Sequence, residues 1–137
     1  MAFWFEEHTA DVTLVATGST LAEAFAEAAR AVTHVMTDEE VSEKQSFQVD
    51  VVAESRESLL FDFLAHVIFL LDTEGLFVAR ARLEVSAQAG NWRVCGELVG
   101  DQAKNYVRSG DVKAPTYNRL EVSEDAGGWL VRSTLDL

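Results

Sequence analysis

The chain has 137 residues, 48% hydrophobic and 25% charged, which is the make-up of one globular domain spanning 1–137. A chain of this length buries roughly two-thirds of its unfolded surface without a staple, and its single cysteine, Cys95, offers neither a disulfide framework nor a CxxC motif, as suits a reducing, cytoplasmic setting. The formal charge of −12 sits wholly in residues 1–75, where fifteen acids face three bases, and this argues against autonomous binding to nucleic-acid phosphates.

An acidic face of this kind suits cations or a basic partner protein, or serves solubility alone. The opening Met1–Glu7 lacks the basic and apolar regions of a secretory signal. Phe3–Glu6 and the alternating Val12, Leu14 and Ala16 predict strands, closed by the turn pair Gly18-Ser19. Thr20-Leu21-Ala22-Glu23 then matches a capping box, in which hydroxyl and carboxylate each satisfy a free backbone N–H at a helix start. Leu21, Phe25, Ala28, Val32 and Met36 follow at helical spacing, on a face expected to pack against a sheet.

Phe47, Val49 and Val51 alternate with Gln48, Asp50 and Val52, so 44–54 reads as a half-buried strand. Ser55 caps the next segment, a broad apolar stripe of Leu59, Leu60, Phe63, Leu64, Val67, Leu70 and Leu71. Asp62 and His66 interrupt it, which leaves it far short of the ~20 apolar residues a membrane span needs. A buried helix stopped by Gly75 is expected instead. Beyond Gly75 the pattern is β throughout. Leu76–Ser86 and Trp92–Leu98 predict a hairpin around Gln88-Ala89-Gly90, and 105–110 reads as an exposed loop. Val112–Val122 is a strand whose Pro115 demands an edge or a bulge, 123–128 a turn, and Trp129–Leu137 a final strand with Trp129, Val131 and Leu135 on one face. The expectation is an α+β domain with two long helices packed on antiparallel or mixed β-sheet.

Catalytic signatures are missing. No glycine-rich phosphate loop, GxSxG elbow or metal-spaced histidine set occurs. Cys95 lies mid-strand and reads as a small core residue, and His34 and His66 read as solvated or hydrogen-bonded helix residues. Two places are less ordinary. In His8-Thr9-Ala10-Asp11-Val12 a carboxylate stands at the mouth of a strand, where aspartate is disfavoured, so Asp11 is either a turn or cap acceptor or a ligand. The other is Ser133-Thr134-Leu135-Asp136-Leu137, a well-patterned strand at a chain end, where fraying is usual. If that strand is pinned in the sheet, Asp136 and the Leu137 carboxylate offer hard oxygen donors. Adding Asp11 makes a set that suits Ca²⁺ or Mg²⁺ and not copper or structural zinc. Nothing local joins residue 11 to residue 136.

These residues belong to a larger pattern. His8-Thr9-Ala10-Asp11-Val12, Thr20–Phe25, Val35-Met36-Thr37-Asp38, Leu59–Leu64, Leu71–Leu76, Val112-Lys113-Ala114 with Thr116-Tyr117, and the strand ending Asp136-Leu137 run in order over essentially the whole chain. In that order and spacing the sequence resembles the archease family. The resemblance implies an accessory protein with no catalytic residues of its own. Its partner would be an RtcB-type RNA ligase, dependent on GTP and manganese, which joins RNA ends in tRNA splicing and RNA repair. The accessory role is to promote guanylylation of the ligase and multiple turnover, so that RNA is met only through the partner, without membrane involvement. The family's divalent-cation site, described with calcium (Mg²⁺ and Mn²⁺ being alternatives), carries over to Asp11, Asp136 and Leu137. Two further readings stand beside this one: a chaperone-like modulator of an RNA methyltransferase, and a metal-dependent hydrolase whose cation activates water. The chain departs from the family pattern at Pro115, at Asn118 and in the 101–110 loop.

Overall fold

Both helices start where their capping residues put them. In the computed structural model, which describes residues 1–7 and 11–137 (Glu7 by its backbone alone), Thr20 caps α1 (Leu21–Met36). The Glu23 amide donates to Thr20 Oγ1 at 3.1 Å, and the Thr20 amide donates back to Glu23 Oε2 at 3.3 Å. Ser55 and Ser58 make the same reciprocal box at the start of α2 (Arg56–Glu74). Gly75 ends α2 in the left-handed region (φ 66°), which a side chain would oppose, and its N–H caps the carbonyls of Leu70 and Leu71.

Among the described residues the strands are β1 (Ala2–Glu7), β2 (Asp11–Gly18), β3 (Gln45–Ala53), β4 (Leu76–Gln88), β5 (Asn91–Gln102), β6 (Ala114–Asp125) and β7 (Gly128–Asp136), with a 3₁₀ turn at Ala103–Asn105. They form two sheets, ordered β1-β2-β7-β6 and β3-β5-β4, and every pairing is antiparallel. The fold class is thus α+β with two helices on wholly antiparallel sheet. Ala89 and Gly90 turn the β4–β5 hairpin, both with positive φ. The last hairpin is tighter than 123–128, because β6 continues to Asp125.

Helix α1 packs on β2 of the first sheet and β4 of the second, while α2 packs on β6 of the first and on β3 and β5 of the second. One continuous core results. The predicted α1 face of Leu21, Phe25, Ala28, Val32 and Met36 is buried with the α2 stripe, with Val12, Leu14, Ala16, Val131 and Leu135 from one sheet and with Val49, Val94 and Leu98 from the other. Thr33, buried in α1, accepts the Val78 amide of edge strand β4 at 2.8 Å, so helix and sheet edge are joined by a hydrogen bond inside the core. Pro115 lies on β6, an edge strand, next to a register break between Thr116 and Glu121, as its missing N–H requires. Among the described residues no helix is long and apolar enough to cross a membrane.

Cys95 corrects an expectation. On β5 it is Val94 and Leu98 that face the core, and Cys95 alternates with them onto the outer face of the second sheet, between Asp50 of β3 and Glu84 of β4. It is a half-buried surface thiol and not a core residue.

Candidate functional site

The first residue of β2 and the last of β7 are cross-strand neighbours: the register pairs Asp11 with Asp136. Directly opposed side chains of an antiparallel pair hold their Cβ atoms roughly 5 Å apart, and like charges in that position repel. Val12 and Leu135, the next rung, turn into the core, so the two carboxylates project from the opposite face of the sheet. Asp136 is exposed, but Asp11 is half-buried, and its Oδ1 is sealed from solvent with no hydrogen-bond partner among the described residues. A sealed carboxylate oxygen without a donor costs folding free energy unless something compensates it.

Behind the pair the sheet is stitched by hydroxyls. Thr13 and Thr134, one same-face rung inward and both fully buried, share a hydrogen bond of 2.8 Å between their Oγ1 atoms. Thr116 of β6 donates from Oγ1 to the Thr134 carbonyl at 3.0 Å, and the Lys113 amide donates to the Asp136 carbonyl at 2.9 Å. The end of β7 is therefore held on both sides, by β2 and by the start of β6. Leu137 follows at once and is exposed.

Further along the same face lies a closed ion network. Arg119 reaches Glu6 of β1 at 2.8 Å, Arg132 binds Glu121, and Glu6 lies 4.0 Å from Arg132. Arg119 adopts a left-handed backbone (φ 57°) in the β6 register break, a conformation costly for a residue with a side chain. Both guanidinium groups on this face are thus committed to glutamates, and among the described residues no ion pair includes Asp11 or Asp136.

The residues present fit a divalent cation. Two carboxylates sharing a rung are hard oxygen donors, one with an oxygen that has no partner among the described residues. Among the described residues no group of three His, Cys, Asp or Glu side chains makes a metal set, so the side chains alone supply only the pair. His8 lies outside the described residues. His34 lies 3.1 Å from the Thr37 carbonyl through Nδ1 and stacks on Phe3, and His66 sits beside Phe69, neither near the pair.

Other polar clusters have structural partners. An open cavity of about 520 Å³ between α1 and β4, with Arg30, Arg80 and Arg82 among its lining, lies beyond the Gly18 end of β2. That is the end of the strand opposite Asp11, and within the cavity Arg30 pairs with Glu27 and Arg80 with Glu43. Asp101 accepts from the Tyr106 hydroxyl at 2.8 Å and the Gln102 amide at 2.8 Å, bonds that hold its carboxyl below the usual range. Tyr106 in turn accepts the Ser42 amide, which ties the loop after α1 to the end of β5. The sequence offered no sign of the Thr13–Thr134 pair or of the Glu6–Arg119–Arg132–Glu121 network. Each depends on strand register, and the only available hint was that threonine stands two residues from both aspartates.

The comparisons agree with this architecture. The model of the Archease protein family matches residues 3–137. Protein archease of Methanothermobacter thermautotrophicus is 32% identical over 137 residues, covering 98% of both chains, and that of Methanosarcina acetivorans is 31% identical over 135 residues, covering 96% of this chain and 92% of its own. The solution structure of Methanobacterium thermoautotrophicum protein 1598 superposes with a TM-score of 0.84 at 31% identity, over 98% of each chain. With the family model, these relatives and the fold in agreement, the chain belongs to the archease family.

Proposed function

We propose that this archease is a divalent-cation-binding accessory protein that activates an RtcB-type RNA ligase, promoting its guanylylation and multiple turnover in tRNA splicing and RNA repair in the cytoplasm. The observation that carries the reading is the Asp11–Asp136 rung, whose Asp11 Oδ1 has no hydrogen-bond partner among the described residues. Asp11, Asp136 and the Leu137 carboxylate hold the cation, with Ca²⁺ as the first choice for an all-oxygen set. Once bound, the cation supplies a fixed positive charge that cancels the repulsion across the rung. The chain's own part is positional: Thr13, Thr134 and Thr116 keep the strands in register, and the Lys113 amide pins the Asp136 backbone. The acidic domain then presents this end of the first sheet to the ligase, which handles the RNA.

Multiple-turnover ligation with catalytic amounts of the ligase tests the proposal. Asp11→Ala and Asp136→Ala are each expected to lose most of the stimulation given by wild type, with Ca²⁺ affinity measured by calorimetry falling in parallel. Full stimulation by both variants would overturn it. Extending the chain beyond Leu137 converts that carboxylate to an amide, and equal Ca²⁺ affinity with and without the extension would remove Leu137 from the ligand set.

A further inference from the structure

Helix α2 breaks the rule that a surface helix turns a polar stripe to water. Its inner side, from Leu59 to Leu71, is buried in the core. The opposite side, at helical spacing, carries Phe61, Asp62, His66, Phe69 and Asp72, of which Phe61 and His66 are half-buried and Phe69 is exposed. Phe69 is 56% exposed, and Tyr117 of the neighbouring β6 is 69% exposed. The Tyr117 ring lies flat on Phe61, with centroids 4.1 Å apart and planes within 2°, and the His66 ring stacks 6.1 Å from Phe69. Eight residues at 1.5 Å each separate Phe61 from Phe69, so the strip runs about 12 Å along the helix. Contiguous exposed apolar surface of this kind marks an interaction site.

The rim of the strip defines what it fits. Asp62 and Asp72 flank it on the helix, and the only lysine or arginine of α2, Arg56, is sandwiched between Trp92 and Trp129 at 5.6 and 5.3 Å. Carboxylates around aromatic faces suit a protein surface bearing arginine or lysine among aliphatic side chains, because guanidinium groups stack on aromatic rings and pair with carboxylates. A second copy of the chain would set the same acids against each other, and a nucleic acid would meet them with phosphates.

We infer that the solvent face of α2, with Phe61, Phe69 and Tyr117 as anchors and Asp62 and Asp72 as its charged rim, docks on a basic, aliphatic-bearing surface of the RtcB-type ligase. This rests on the reading of the ligase as the partner.

Calorimetric titration of the whole chain into the ligase of the same organism tests it, with Phe69→Ser/Tyr117→Ser as the probe variant. Both side chains are exposed, so the variant is expected to stay folded, with a small fall in melting temperature from the lost Tyr117–Phe61 stack, and to keep its Ca²⁺ affinity. Truncating two anchors should weaken ligase binding by a factor of about 10 to 100. Asp62→Lys/Asp72→Lys should also weaken it, and should flatten the fall in affinity expected for wild type as salt is raised. Equal binding by wild type and the aromatic variant would overturn the docking surface while leaving the ligase reading intact. No binding by wild type would end both. Undiminished binding by the charge-reversed variant would remove the basic partner surface. Sedimentation showing a wild-type dimer and a monomeric aromatic variant would assign the strip to self-association and overturn the inference.

Discussion

Asp11 is the residue on which the proposed cation site turns. Two aspartates on one rung repel, by roughly 0.2–1 kcal/mol on the scale of cross-strand pairs. Asp11→Asn removes one of those charges and supplies an amide donor. In chelator, its melting temperature should therefore equal or exceed that of wild type. Adding Ca²⁺ to 100 times its dissociation constant should stabilise wild type by about 2.7 kcal/mol and leave the variant nearly unmoved, which reverses the order. Thermal melts with and without Ca²⁺ read this directly, and a full Ca²⁺ shift in Asp11→Asn would take Asp11 out of the site. Thr13 behaves differently, because its hydroxyl is fully buried and paired. Thr13→Val strands the Thr134 hydroxyl and should cost about 1–3 kcal/mol in urea denaturation whether or not cation is present. Thr13→Ser, which keeps the oxygen, should recover much of that loss.

Among the elements, helix ends were the most legible from sequence, because capping is local: Thr20 with Glu23, Ser55 and Gly75 act where their spacing placed them. Gly75→Ala puts a Cβ into a left-handed turn and should destabilise the protein by about 1–2 kcal/mol, measurable as a lower urea midpoint at unchanged slope. Strand faces were less legible, and Cys95 shows why. Its hydrophobic character suggested the core, yet its β5 neighbours of the same parity, Arg93 and Glu97, already mark that face as the outer one. The loop joining β5 to β6 is anchored by Asp101. Because hydrogen bonds from Tyr106 and Gln102 lower the folded-state pKa of Asp101, the stability it adds is fully present above its unfolded value near 4 and is lost as pH falls through the lower folded value. Wild type should accordingly exceed Asp101→Asn in melting temperature at pH 7, with the gap closing toward pH 3. A gap independent of pH would mean that the anchor does not depend on the charge.

On the scale of the whole molecule, the acidic first half and neutral second half of the sequence are not two halves of the fold. Both sheets interleave them: β2 lies between β1 and β7, and β3 lies beside β5. Bases of the second half therefore meet acids of the first, as in Arg93 with Asp50, Arg80 with Glu43 and Arg119 with Glu6. The same interleaving brings residue 11 to residue 136. No local pattern could announce that, since pairing between the first and last segments is fixed only when the entire sheet is assembled. Exposed pairs of this kind each contribute ~0–1 kcal/mol and weaken with salt, whereas a formal charge of −12 strains the folded chain against itself and is relieved by salt. The excess is the larger effect, because the four cross-half pairs among the described residues engage only Glu6, Glu43 and Asp50, while residues 1–75 carry fifteen acids against three bases. Raising NaCl from about 0.01 to 0.2 M, which shortens the screening length from roughly 30 Å to under 8 Å, should raise the melting temperature of the cation-free protein. Ca²⁺ added at low salt should raise it further in wild type than in Asp136→Ala. A melting temperature that falls with salt would show instead that the cross-half ion pairs, and not the excess charge, dominate the electrostatics of the fold.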